Sequence, residues 1–331
     1  MLNRSIFIIS LGITFFVTLV LTRWLINYLN SRSVKQRILE IGPSWHKSKE
    51  GTPTMGGIAF ILASAVAFFV VCFLYHEKLE KTELFSLINT FTFSTLNGLI
   101  GVIDDMAKVR KKKNEGLTPR GKLAFQSLAA IVYLFSMSYF VGIETSLYIP
   151  YFNVELNIGF AYYVVAFLLL CGVVNAVNLT DGLDGLASTC SLAVGAFISL
   201  CGVVIEENTV SSFIGAILIG VPTSFLIFNI HPAKIFMGDT GSLFIGALVV
   251  SSAFAMNNPL LVLIFGFPFI FEAVSVMIQV AYFKLTKGKR LFKMAPFHHH
   301  LEKCGMNEMK IVSIFGLVSV LFCALALFGL R

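Results

Sequence analysis

Charge is what this sequence has least of. Only 13% of its 331 residues are Asp, Glu, Lys or Arg. A soluble globular domain carries about 25%, so an ordinary soluble fold is excluded. Aspartate is rarer still: Asp104, Asp105, Asp181, Asp184 and Asp239 are all there are. Cysteines at metal-ligand spacing are missing too, which excludes a cysteine zinc site. Cys72, Cys171, Cys190, Cys201 and Cys323 fall in apolar runs, and with Cys304 they are expected to be small packing residues. No internal repeat or low-complexity stretch occurs, so one membrane domain over 1–331 is expected. No small-residue cleavage site follows the first apolar run, which is therefore expected to be retained.

What the chain has instead is hydrocarbon: 56% hydrophobic residues, with 33 Phe. A helix needs about 20 apolar residues to cross a bilayer. Ten such runs are predicted, near 5–27, 54–75, 86–103, 121–141, 160–178, 186–205, 210–229, 240–257, 260–283 and 310–330. The fold class that follows is an all-α polytopic membrane protein. The net charge of +7 resides in alternate loops, around 28–53, 104–122 and 284–310, while the intervening loops are mainly acidic. That distribution argues against nucleic acid as a partner. By the positive-inside rule it places the basic loops in the cytoplasm and both termini outside.

All five aspartates then fall at span ends on the cytoplasmic face. A carboxylate near hydrocarbon costs roughly 2.5–3.5 kcal/mol even on the lenient insertion scale, so five on one side predict the wall of one polar cleft. Asp104 and Asp105 close an apolar, glycine-rich run, and Lys108 follows Asp104 by one helical turn. Lys122 stands at the start of the fourth span. Asn175, Asn178 and Asp181 recur every three residues along one helix face, leading into Asp181-Gly182-Leu183-Asp184-Gly185. Asp239 opens the eighth span, where helix capping and Mg²⁺ ligation are both open. Before the second span, Lys47, Lys49 and the amides of Gly56-Gly57 suit either an anion or tight helix packing. His298, His299 and His300 are consecutive, so their rings diverge and do not converge on one zinc. The apolar and basic residues around them fit a short interfacial amphipathic segment. Carboxylates, lysines and imidazoles on one membrane face suit a Mg²⁺-dependent polyanionic substrate, such as a nucleoside diphosphate, and a lipid phosphate.

In order, GTPTMGG at 51–57, DDxxK at 104–108, NxxNLTDGLDGLA at 175–187, FMGDTGS at 236–242 and PFHHHLE at 296–302 span the whole chain. Together they resemble the phospho-N-acetylmuramoyl-pentapeptide transferases of the polyprenyl-phosphate N-acetylhexosamine-1-phosphate transferase superfamily. The resemblance implies a bacterial inner-membrane enzyme, expected to be a homodimer in the lipid bilayer. It joins UDP-N-acetylmuramoyl-pentapeptide to undecaprenyl phosphate, giving UMP and a lipid-linked peptidoglycan precursor. It further implies Asp239 as the Mg²⁺ ligand, and Asp104, Asp105 and His298 as catalytic groups. Lys47, Lys108 and Lys122 are implied as phosphate partners. Asn175, Asn178, Asp181, Asp184, Asn229, Phe236 and Gln279 would hold uridine and the amino sugar, with His299 and His300 beside the diphosphate.

Two rivals remain. A sister enzyme taking UDP-N-acetylglucosamine shares the chemistry and differs in the sugar pocket. An ion-coupled transporter would place its carboxylates near the bilayer midplane, usually with internal repeats. Here only Glu272, in the ninth run, fits that position. A scaffold explains the helices but not the one-sided carboxylates.

Overall fold

The computed structural model describes residues 1–31, 51–111 and 116–330. Lys47, with the rest of the first basic loop up to residue 50, lies outside the described residues. Among those described, ten helices are long and apolar enough to cross a membrane. They are α1 (Leu2–Ser31), α2 (Gly57–Tyr75), α3 (Lys81–Lys111), α4 (Pro119–Ser136), α5 (Ala161–Thr180), α6 (Leu186–Leu200), α7 (Thr209–Asn229), α8 (Gly238–Ala255), α10 (Phe267–Leu285) and α12 (Glu308–Leu327). One-turn α9 (Val262–Phe265) and seven-residue α11 (Phe297–Lys303) complete the helical set. Between α4 and α5 an antiparallel hairpin pairs β1 (Ser146–Ile149) with β2 (Val154–Asn157).

Helix α8 is the axis of the bundle. Every residue from Thr240 to Ala255 is buried. Its small residues let neighbouring backbones approach closely, the usual basis of helix association in lipid. A Cβ on Gly246 would lie 2.9 Å from the Val174 backbone of α5, and one on Gly101 of α3 would lie 2.5 Å from Thr240 Cα. Peripheral helices turn large apolar side chains outward, including Phe69, Phe135, Met277 and Leu317. In a bilayer these meet lipid tails.

Two spans differ most from their expected limits. The third is not a short run at 86–103: α3 has 31 residues and carries its helix through Asp104, Asp105 and Lys108. Hydropathy ends where charge begins, whereas helical backbone bonding does not. The ninth does not begin at 260. Pro259–Leu261 form a single tight turn, α9 follows, and the chain breaks at Gly266 before α10. Pro268, in the first turn of α10, lacks an N–H and so starts a helix readily while ending the one before it.

Candidate active site

The start of α8, the end of α3, the end of α5 and the start of α4 meet at one end of the bundle. Gly238 precedes Asp239 with φ +70°, and a Cβ there would run into Thr54 and the Asp105 carboxylate, so glycine is required. Asp105, buried on α3, accepts the backbone N–H of Asp239 at 3.2 Å and that of Thr240 at 3.0 Å. The Thr240 hydroxyl adds a third bond at 2.7 Å. The cap of α8 thus comes from another helix, and Asp239 is left free of that duty.

Asp239 is the hub. Its Oδ2 accepts Lys108 Nζ at 3.0 Å and Lys122 Nζ at 2.8 Å, and its Oδ1 accepts Asn178 Nδ2 at 2.9 Å. Asn178 also accepts Lys122 Nζ at 2.9 Å and donates to Ser242 Oγ at 2.8 Å. Asp104 pairs with Lys108 at 2.6 Å and accepts the Leu117 N–H at 2.7 Å. Carboxylate oxygens of Asp104, Asp105 and Asp239 lie within 4.8 Å of one another. Two ammonium groups hold this close cluster of like charges together. Of the three carboxylates Asp239 is the most exposed, at 17% against 4% and 3%.

The Gly-rich entry to α2 serves α8 rather than an anion. Gly56 N–H donates to the Phe236 carbonyl and Gly57 N–H to that of Met237, each at 2.9 Å, and Phe236 N–H returns a bond to Pro53. Those amides are consumed, so the packing reading of Gly56-Gly57 replaces the phosphate one. Phe236 itself is half-buried in this ladder.

The aspartates do not form one wall. Asp184 belongs to a second cluster with His231 and Glu308. Its Oδ2 accepts His231 Nδ1 and the Ala233 N–H, each at 3.0 Å, while Glu308 Oε2 lies 3.1 Å from the same imidazole nitrogen. Glu308 also accepts the Asp184 N–H. Asn229, buried, accepts Gly185 N–H at 3.0 Å and donates to the Ile235 carbonyl at 2.9 Å. Asp184 and Asn229 therefore lash the 181–185 turn to the loop that leads into Asp239. His231 and Glu308 were missed by sequence reasoning; a carboxylate in the first turn of the last span was the available signal. Asp181 caps the end of α5, where its N–H bonds the Asn178 carbonyl at 3.3 Å.

The histidines diverge, each to its own partner. His298 is fully buried against Glu272 of α10 and backs onto Gly182. His299 Nδ1 meets Glu302 at 2.7 Å, and His300 Nδ1 accepts the Lys293 N–H at 3.0 Å. Gln279 stands apart from the cluster: its amide oxygen accepts Leu291 and Phe292 N–H groups, and its nitrogen donates to Phe292. Leu291 and Phe292 are thereby clamped onto α10. Asn175, one turn before Asn178, donates to Gln126 at 2.9 Å. Cys304 also departs from expectation, being exposed, whereas the other cysteines are buried or half-buried.

The sequence is similar to those of known proteins. The glycosyl transferase family 4 profile matches residues 84–257, and the phospho-N-acetylmuramoyl-pentapeptide-transferase signature 1 matches residues 49–61. The chain is 41% identical over 320 residues to the phospho-N-acetylmuramoyl-pentapeptide-transferase of Caldicellulosiruptor bescii, covering 97% of this chain and 96% of that one. It is 40% identical over 322 residues to that of Bacillus cytotoxicus, covering 97% of each. Against that of Anoxybacillus flavithermus it is 38% identical over 329 residues, covering 99% and 98%. With full-length identity at this level, and with Asp104, Asp105 and Asp239 gathered around one helix start, the chain belongs to the phospho-N-acetylmuramoyl-pentapeptide-transferase family.

Proposed function

We propose that the chain transfers phospho-N-acetylmuramoyl-pentapeptide from its UDP ester to undecaprenyl phosphate, releasing UMP and forming a lipid-linked peptidoglycan precursor. The observation that carries the reading is Asp239, held between Lys108 and Lys122 with Asp104 and Asp105 alongside, at one end of an apolar bundle. A phosphate oxygen of the lipid attacks the β-phosphorus, and the bond from that phosphorus to the bridging oxygen breaks. Its electron pair leaves on UMP. A phosphate monoester is largely dianionic at neutral pH, its second pKa being about 6. No strong base is therefore needed, and positioning with charge neutralisation supplies the catalysis.

Lys108 and Lys122 are the cations that meet the phosphates, released from Asp239 as the substrate enters. Asp105 keeps α8 in place, which leaves Asp104 as the carboxylate nearest to a catalytic role. The oxygen donor set fits a hard divalent cation such as Mg²⁺, with Asp239 as its ligand and Asp104 beside it. When bound, that ion neutralises charge on the diphosphate and the departing UMP. Asn178 orients both Asp239 and Lys122. Asp181, Asp184, Asn229 and Phe236 frame the nucleotide and sugar pocket, the first three through the turn and loop they hold. The basic loops support a cytoplasm-facing site, and the resemblance supports the bacterial inner membrane and a homodimer.

The test is UMP release by the purified chain in detergent, with undecaprenyl phosphate and either UDP-N-acetylmuramoyl-pentapeptide or UDP-N-acetylglucosamine, with and without Mg²⁺. Lipid- and Mg²⁺-dependent UMP from the muramoyl substrate alone is expected. UMP from the glucosamine substrate alone would move the chain to the sister activity. None from either, in folded protein, would reopen the transporter reading.

A further inference from the structure

Glu272 is a fully buried carboxylate on a helix otherwise turned largely toward lipid. Its neighbours explain where it sits. The buried stripe of α10 runs Pro268, Phe269, Glu272 and Ser275, and one further turn brings Gln279, which clamps Leu291 and Phe292. This stripe grips the chain that leads into α11. An ionisable group at such a position marks function, with its partner to be named. The partner is His298.

Two contacts define the pair, and a third places the ring. His298 N–H donates to Glu272 Oε1 at 3.1 Å. The imidazole Nδ1 lies 3.2 Å from Glu272 Oε2, an ion-pair distance off the hydrogen-bonding direction. The opposite ring edge faces Gly182, where a Cβ would come within 2.8 Å of His298 Cε1. His298 is 0% exposed, yet neither ring nitrogen has a hydrogen-bond partner among the described residues. A buried imidazole left unsatisfied is destabilising. Catalytic hydrogen bonds that are misaligned in a free enzyme often tighten once substrate is bound. Gly182 sits between Asp181 and Asp184, so the free edge of the ring points at the turn bordering the Asp239 cluster.

We propose that Glu272 is the positioning residue for His298. Its carboxylate holds the His298 backbone and directs Nδ1 inward. Nε2 is then the nitrogen presented beside the Gly182 turn, where it contacts the bound diphosphate or sugar. A carboxylate behind an imidazole selects the tautomer and the ring orientation of the nitrogen that works. The pairing also removes the one intramembrane carboxylate that favoured a transport path. The assignment of a chemical role to His298 rests on the transferase reading above, whereas the pairing itself does not.

The test is a double-mutant cycle on the full-length protein in detergent, read by steady-state UMP release. Glu272→Gln is expected to lower kcat about 100-fold, the size of a general acid–base contribution, with KM for the nucleotide substrate within about 3-fold. Glu272→Asp should recover part of that loss. On a His298→Ala background, Glu272→Gln should cost less than about 3-fold more, because groups acting as a unit are not additive. Unchanged kcat in Glu272→Gln, or losses that multiply in the double variant, would overturn the proposal. If the wild type releases no UMP, the transferase reading fails on its own. The pair is then judged by the ¹⁵N resonances of His298, assigned by their loss in His298→Ala. They are expected to move in folded Glu272→Gln and Glu272→Asp, and unmoved resonances would overturn the pairing. The same NMR arm decides the question if Glu272→Gln does not fold, using Glu272→Asp alone.

Discussion

Asp105 on α3 closes the start of α8: its Oδ2 accepts the Thr240 backbone N–H at 3.0 Å and the Thr240 hydroxyl at 2.7 Å. This one residue couples two helices and sets the direction in which Asp239 enters the cluster. Adjacent carboxylates at the end of α3 consequently have different work. Asp105 faces a helix start, and Asp104 faces Lys108 and the Leu117 amide.

Removing the cap should therefore show in stability. Asp105→Ala leaves the buried Thr240 amide and the part-buried Asp239 amide without their acceptor, at about 1–3 kcal/mol, and should lower the midpoint of thermal unfolding in detergent. Asp105→Asn keeps an acceptor oxygen and should recover most of that midpoint. Equal midpoints for Asp105→Ala and wild type would dismiss the capping role.

Asp239 should behave differently. Asp239→Ala is expected to abolish UMP release, a loss of at least about 1,000-fold, comparable to losing a principal electrostatic group, while helical content by circular dichroism is retained. Near-normal turnover of this variant with Mg²⁺ would rule out Asp239 as the metal ligand.

Chelation tests the donor set as a whole. EDTA should stop UMP release, and added Mg²⁺ should restore it, because all three clustered side chains offer hard oxygen. Full activity in excess chelator would refute metal dependence. Restoration by Zn²⁺ but not Mg²⁺ would point instead to a nitrogen-containing site such as Asp184, His231 and Glu308.

Glycines in the bundle should separate sharply by position. A Cβ on Gly57 would sit 2.6 Å from the Thr240 carbonyl carbon, whereas one on Gly12 meets nothing within 4 Å. Gly57→Val should prevent recovery of a monodisperse folded protein on fluorescence-detected size exclusion. Overpacking of this kind costs about 1–3 kcal/mol even where side chains can give way, and backbone cannot. Gly12→Ala should elute as wild type. A normal profile for Gly57→Val would contradict the close α2–α8 contact.

Cysteine labelling offers a further check on burial. Cys304 is exposed and Cys323 buried, so a maleimide applied to the native protein should modify Cys304 first and spare Cys323. Cys323→Ser should leave turnover within about 3-fold, as expected for a small packing residue. Preferential labelling of Cys323 would contradict the packing of α12.

Much of the architecture was legible in the sequence for one reason. In hydrocarbon every backbone N–H and C=O must be satisfied within the segment, so long apolar runs translate directly into helices. Breaks such as Gly266-Phe267-Pro268 were less legible, since apolar residues continue across them. Asp104, Asp105, Lys108, Lys122, Asn178 and Asp239 stood out because polar groups are so scarce. The structure brings these six together.

Partnership was not legible. Asn229, Asp184 and Gln279 read as ligand-facing groups, and each is engaged in holding a turn or loop. The three histidines look alike in sequence and meet Glu272, Glu302 and Lys293 respectively. Composition and hydropathy can say that a polar side chain near lipid needs a partner, but they cannot say which one.

The membrane-spanning helical class, the order of the spans and the family could all be read from the chain before any folding was considered. These depend on local hydrophobic runs and contiguous motifs. That Asp105 caps α8, that Asp239 is the hub between two lysines, and that Glu272 lies behind His298 emerged from the packing of distant helices. Asp105 and Thr240 are 135 residues apart in the chain, and hydrogen bonds of about 3 Å between such residues exist only once α2, α3, α5 and α8 have packed through their small residues.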